Sequence, residues 1–295
     1  MASRIAQLSK QFLNQKSVYS FATAGKLSSK KINQFLAASY MIPHPEKAFK
    51  GGEDACFCNN QILCVADGVG GWAQYGVDPG LYSKELVKHI EENFKNKQSE
   101  YLLNPQQLII DSHSQTKATG STTCCILTID EQKPIVYTSY IGDSGYAIFR
   151  KQKKSINPIF VSEEQTKSFN FPYQIGSEGD SPTKAWTFDH QIEHNDIIVC
   201  GTDGVFDNID ENQILNCIKP FWEYNDNITD VNLLSEIIAK YAFKLSVDPV
   251  YNSPFAKRAK KAYYNYRGGK SDDITVVVAQ VKLLSEPKHQ EENNE

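Results

Sequence analysis

The sequence predicts an α+β fold. Two patterns carry that expectation. Runs rich in Val, Ile, Thr and Tyr recur along the chain at strand length. Pairs of amphipathic helices separate these runs, which differs from the strict alternation of a βαβ protein. A third feature sets the chain apart: several of the strand-like runs end abruptly in aspartate, as in "ILCVADGVGGW" and "DIIVCGTDGVFDN".

One domain is expected over residues 39–282. "MIPHPEKAFKGGEDACF" is a Pro- and Gly-rich lead-in to a strand, and "NQILCVAD" is a strand with a near-continuous apolar face. "DPGLYSKELVKHIEENF" is a helix, with Asp78 placed to cap it and Pro79 at its first turn. Tyr82, Leu86, Val87, Ile90 and Phe94 give that helix an apolar stripe, read as core packing. "STTCCILTID" and "IVYTSYIGDSGYAIFR" follow as neighbouring strands. Residues 151–189 carry Asn-Pro, Phe-Pro and Gly signals and are expected to be loop-rich. "DIIVCGTD" is a strand, "DENQILNCIKPFW" and "VNLLSEIIAKYAFKL" are helices, and "SDDITVVVAQV" closes the domain as a β-branched strand. Residues 283–295 form a polar tail of disordered character.

Hydrophobic residues make up 40% of the chain and charged residues 22%, ordinary for a soluble globular protein. The net charge of -4 argues against nucleic acid as a partner. No apolar run approaches the ~20 residues of a transmembrane helix. The seven cysteines lie mostly inside apolar runs and read as reduced core thiols. Cys56-x-Cys58 is too tight for the usual zinc spacing, and no cysteine has an arginine six positions on, so the phosphate-cradling Cys-x5-Arg arrangement is absent.

Residues 1–38 differ in character. Arg4, Lys10, Lys16, Lys26, Lys30 and Lys31 meet no Asp or Glu before Glu46, and Ile5, Leu8, Phe12 and Leu13 share one helical face. This composition fits a mitochondrial targeting segment; a solvated basic tail is the other reading. A secretory signal is not expected, since no 7–15 residue apolar block is present.

The acids at the strand ends define the candidate site. They are Asp67, Asp143, Asp203 and the pair Asp272-Asp273, with Glu53-Asp54 just before the first strand. Buried unpaired carboxylates cost several kcal/mol each, on the order of the figures for isolated buried charges. Lys and Arg are not interleaved in these motifs, so the compensation is expected from divalent cations, and an all-oxygen set suits Mg2+ or Mn2+. The glycine after Asp67 lets the backbone approach a metal, and its carbonyl is itself a potential ligand.

"GGEDACF", "VADGVGGW", "GSTTCCILTI", "YIGDSGYAIFR", "GTDGVFDN" and "SDDITVVVAQV" resemble, in order, the motifs of the metal-dependent Ser/Thr protein phosphatases, type 2C. The match runs from Gly51 to Val281. "DGVGGW", "YNSPFAKRA" and "RGGKSDDIT" resemble the wording of that family's mitochondrial branch, whose members act on mitochondrial phosphoproteins. The resemblance implies an α-β-β-α sandwich of two antiparallel sheets flanked by helix pairs, with the site at one end. It implies that Asp67 bridges two metal ions, that the Gly68 carbonyl binds one of them, and that Asp203 and Asp272 bind the other. Glu53 would hold a metal-bound water. Asp143 and Asp207 would form a weaker third site with Asp203, and Asp54 and Asp273 would support the ligands from behind. A hydroxide bridging two ions would then hydrolyse phosphoserine or phosphothreonine by in-line attack, with no phospho-enzyme.

Two departures matter. The family's animal cytosolic members carry a His where this chain has Val69, and a phosphate-gripping Arg where it has Phe49. Lys50 is the candidate replacement for the Arg; a plain surface charge is the alternative. The departures also leave open a catalytically weak subunit of a mitochondrial assembly. "GDSGY" is a short match to a serine-protease nucleophile, but no His lies in a partner context and the other acids would go unexplained. "RGGKSDD" is no P-loop, because Tyr264 stands where the first glycine belongs and a strand follows.

Overall fold

The computed structural model describes residues 21–24 (backbone only), 32–152, 155–222, 228 and 230–284. Two antiparallel sheets stack face to face. The six-stranded sheet runs in the order Phe21–Ala24, Gln34–Ile42, Ile274–Lys282, Ile197–Gly201, Gly145–Gln152 and Ser155–Val161. The five-stranded sheet runs Trp186–Gln191, Ile135–Ile141, Cys124–Ile129, Ile62–Asp67 and Asp54–Cys58.

Alternation along each strand explains why the runs look continuously apolar. In Cys124–Ile129, Cys125 and Leu127 face the other sheet with their neighbours Leu63 and Val65, and share a core with its Phe35, Tyr146, Ile198 and Val277. Cys124 and Ile126 face outward, under the helices Pro79–Asn96 and Pro105–Gln115 through Leu86, Ile90, Phe94 and Leu108. The six-stranded sheet is covered likewise by Glu211–Trp222 and Val231–Ser246, whose Ile214, Ile218, Leu234 and Ile238 pack on Ala38, Tyr40, Phe149, Val199 and Val276. Both faces of every central strand are therefore buried, and no polar half-period survives. The result is the expected α-β-β-α sandwich. The cysteines are free, and burial pushes the Cys217 thiol up to about 12, in keeping with core packing rather than nucleophilic chemistry.

The predicted Pro79 helix forms with its cap: Asp78 accepts from the Gly80 N–H. Two helices escaped the sequence reading although they carry the same signature. Asn104 caps Pro105–Gln115 by accepting from Gln107, and Ser253 caps Pro254–Lys261 by accepting from Ala256, each with Pro at the first turn.

Three expectations need correction. The domain does not start at residue 39. Gln34–Ile42 is an interior strand, paired with Ile274–Lys282 from Gln34↔Lys282 to Ile42↔Ile274, and Phe35 and Ala37 are fully buried. Phe21–Ala24 pairs in turn with Ala38–Met41. The remaining expectation of a targeting segment, residues 1–20 and 25–31, lies outside the described residues. Residues 151–189 are not mainly loop: Ser155–Val161 and Trp186–Gln191 are edge strands of the two sheets. Pro158 is tolerated because it sits at an edge, next to a register shift. At the other end, the Leu283 N–H donates to His194 Nδ1 (3.1 Å) and the Leu284 N–H to Asn33 Oδ1 (2.8 Å), so the tail begins later than residue 283. Residues 285–295 lie outside the described residues.

Candidate active site

The strand ends deliver the acids to one end of the sandwich. Asp54 and Asp67 are direct cross-strand partners at the end of the five-stranded sheet. Asp203 follows the Ile197–Gly201 strand of the other sheet and opens the short helix Asp203–Phe206. Asp272 and Asp273 precede Ile274–Lys282, the neighbour of that strand. Asp143 lies in the turn between Ile135–Ile141 and Gly145–Gln152. Chain segments from both sheets thus converge.

The acids differ in what holds them. Asp273 serves the backbone: Oδ1 accepts from the His44 N–H (2.7 Å) and Oδ2 from the Glu53 N–H (2.9 Å), which fixes the loop carrying Glu53. Asp54 Oδ2 accepts from the hydroxyls of Thr202 (2.8 Å) and Thr275 (2.6 Å), tying the two sheets together. Asp203 Oδ1 is buried and has no hydrogen-bond donor. Burial, reinforced by Asp54, Asp203 and Asp272, holds the Asp67 carboxyl well above the usual carboxylate range. Asp143 is raised in the same way by burial and by Asp203, with Lys270 partly opposing.

Both Asp-Gly steps have a packing cause. A Cβ on Gly68 would sit 2.5 Å from the Pro79 carbonyl oxygen and 2.7 Å from that of Glu53. A Cβ on Gly204 would overlap the Asp273 carbonyl oxygen. The glycines let two chain segments touch just behind the acids.

Of the cations at the site, the sequence points to Lys50 alone. Lys47 pairs with Glu53 (2.6 Å) and reaches Asp272 and Asp273, each at 3.5 Å. Burial opposes its charge, but these acids outweigh it and hold the amine above its ordinary range. Lys50 bonds Glu53 (2.8 Å) and Asp78 (2.7 Å), so it is not a free surface charge. Lys270 pairs with Asp203, with Asp207 (2.7 Å) and with Asp272 (3.3 Å). Arg258, from the helix Pro254–Lys261, pairs with Asp207 and with Glu164 (2.9 Å). Lys270 lies two residues ahead of Asp272 and Lys50 three ahead of Glu53; Arg258, and the reach of Lys47 to Asp272 and Asp273, arrive through tertiary structure. The expectation of acids without nearby Lys or Arg is therefore wrong. Phe49 is 86% exposed. A groove of about 170 Å3 opens beside Asp143, lined in part by Ser162, Glu164, Phe206, Pro254 and Arg258.

Among the described residues no three Asp, Glu, His or Cys side chains already enclose a common point as a closed ion cage. The donor chemistry nonetheless suits a hard divalent cation. The donors are oxygen, Asp67 is crowded by like charge, and Asp203 keeps a buried oxygen with no protein partner.

Known proteins agree with this reading of the fold. No protein-family model matches the chain. A probable protein phosphatase 2C of Arabidopsis thaliana, number 80, is 37% identical over 269 residues, covering 86% of this chain and 60% of that relative. The chain thus spans less than two thirds of that longer protein. The zebrafish (Danio rerio) protein phosphatase PTC7 homolog is 36% identical over 247 residues, covering 77% of this chain and 80% of its own length. The crystal structure of the photosystem II phosphatase PBCP superposes with a TM-score of 0.74 at 32% identity, over 89% of this chain and 99% of that one. The two-sheet sandwich flanked by helices is the fold of that solved phosphatase. The chain belongs to the type 2C protein phosphatase family.

Proposed function

We propose that the chain is an Mg2+- or Mn2+-dependent protein Ser/Thr phosphatase that hydrolyses phosphoserine and phosphothreonine with two ions held across Asp67. The supporting observation is the convergence of Asp67, Asp203 and Asp272 from different strand ends, with Asp203 Oδ1 buried and unpartnered. Asp67, the Gly68 carbonyl, Asp203 and Asp272 would hold the ions. Bound there, the ions supply an acidified water and counter-charge for the phosphoryl oxygens.

The chain's own groups set the geometry. Asp273 fixes the Glu53 loop through two backbone N–H groups, and Lys47 and Lys50 hold both Glu53 oxygens, leaving Glu53 oriented to accept from water. Lys50 is the nearest candidate for a phosphate contact, in exchange for its bond to Asp78. The groove beside Asp143 offers space for the peptide that carries the phosphate.

The substrates we propose are mitochondrial phosphoproteins, with the matrix as location. The basic, acid-free start of the chain and the likeness to PTC7 homologues support this. Within the described residues no helix is long and apolar enough to cross a membrane. Association with a larger mitochondrial assembly remains part of the proposal.

The test is hydrolysis of a phosphothreonine peptide by the full chain. EDTA should silence it and Mg2+ or Mn2+ restore it. Ca2+ should restore little, because its longer, looser oxygen shell misplaces the reacting water. Full activity after exhaustive chelation overturns the metal reading. No hydrolysis with either metal favours the inactive-subunit alternative.

A further inference from the structure

Lys270 is the most deeply placed cation of the site. Its ammonium touches three carboxylates on two segments: Asp203 and Asp207 on one helical turn, and Asp272. The side chain is only 15% exposed. Its backbone is pinned as well. The Lys270 N–H donates to Asn208 Oδ1 (2.9 Å), and the Lys270 carbonyl accepts from Asn208 Nδ2 (2.8 Å). Buried Asn208 also donates to the Gly204 carbonyl (2.9 Å), so the lysine is fixed relative to the turn that carries Asp203. The Phe255 ring lies 5.4 Å from its Nζ and closes off one side. This is a lysine built into the acids, unlike a long surface side chain that happens to meet them.

A tethered ammonium and a divalent ion compete for the same oxygens. Two cations a few ångströms apart repel, and the lysine cannot diffuse away. Asp207 is doubly engaged, with Lys270 on Oδ2 and Arg258 on Oδ1, so neither oxygen is free for an ion. We propose that Lys270 is a built-in cation that takes the place of a further metal ion at Asp203 and Asp207, limiting the site to two ions and setting the affinity of the one that shares Asp203 and Asp272. The proposal rests on the two-ion reading above and revises the expectation of a weaker third ion at Asp143, Asp203 and Asp207.

The experiment counts Mn2+ ions on the full chain by electron paramagnetic resonance and calorimetry, in wild type, Lys270→Met and Lys270→Arg. Met keeps the unbranched stem and removes the charge. Wild type should bind two Mn2+. Lys270→Met should bind a third, or bind its weakest ion on the order of tenfold more tightly. Without metal its melting temperature should fall below wild type, and Mn2+ should raise it by more than in wild type. Lys270→Arg should keep the wild-type count. Equal counts and affinities in wild type and Lys270→Met overturn the proposal and leave the two-ion reading intact. Three ions of similar affinity on wild type also overturn it, even where Lys270→Met fails to fold. No Mn2+ bound by wild type overturns the two-ion reading itself.

Discussion

Removing residues 1–38, the segment that composition alone separates from the domain, should unfold the protein. The cut falls inside Gln34–Ile42 and deletes Gln34 to Ala38, which pair with Lys282 to Val278. Phe35, Ala37 and Ala38 are fully buried, and Leu36 packs against the outer core. Loss of a buried Phe costs about 3–5 kcal/mol. The smaller side chains add roughly 2 kcal/mol by area. The cross-strand hydrogen bonds contribute about 1 kcal/mol each. The total, on the order of 8 kcal/mol, is comparable to the whole stability of a typical domain, about 5–15 kcal/mol. Deletion of residues 1–31 spares that strand and, among the described residues, removes only its edge partner Phe21–Ala24. The assay compares thermal melts of the 32–295 and 39–295 chains by circular dichroism. The first should melt cooperatively and keep any metal-dependent activity; the second should be unfolded or insoluble. Cooperative melting of both at the same temperature would refute the reasoning and restore a domain boundary at residue 39.

Asp67→Asn should abolish metal-dependent hydrolysis while the metal-free protein melts no lower than wild type, because it removes a charge that burial and Asp54, Asp203 and Asp272 disfavour; a phosphopeptide assay beside a melt checks both halves. Gly204→Ala should lower stability by about 1–3 kcal/mol in urea titration, since its Cβ meets the Asp273 carbonyl and the chain must shift; an unchanged midpoint would mean the contact relaxes at no cost. Stability should also fall in mild acid. Burial lowers the pKa of His190, with Asp189 partly opposing, while the ring bonds the Tyr146 hydroxyl (2.7 Å). The unfolded chain then binds the proton first, so this contribution is complete above about 6.5 and is lost as pH falls below it toward the folded value. Urea melts at pH 7.5 and 5.5 should show the loss, and His190→Gln should reduce it.

The acids were legible because they obey a local rule: a strand-length apolar run, then Asp, then Gly. Each part of that rule is visible within a dozen residues, and its repetition marked one site. The strand Gln34–Ile42 obeys no such rule. It is buried on both faces, so alternation is absent, and its partner Ile274–Lys282 lies at the far end of the domain. The cations show the same limit more sharply. Lys47 precedes and Lys50 ends the short turn Ala48–Lys50, and Arg258 sits on a helix otherwise marked by solvent-facing Lys257, Lys260 and Lys261. In sequence, Arg258 is indistinguishable from those neighbours; only the packing of its helix against the Asp203–Asp207 turn, where the Phe255 N–H donates to the Asp207 carbonyl (3.0 Å), turns it inward. Charge compensation across segments is a tertiary property. A pattern of buried carboxylates in sequence therefore establishes that positive charge must be supplied, but whether an ion or a lysine supplies it at each acid is decided by the fold, and at Asp203 the lysine has a claim on one oxygen while the other stands without a protein partner.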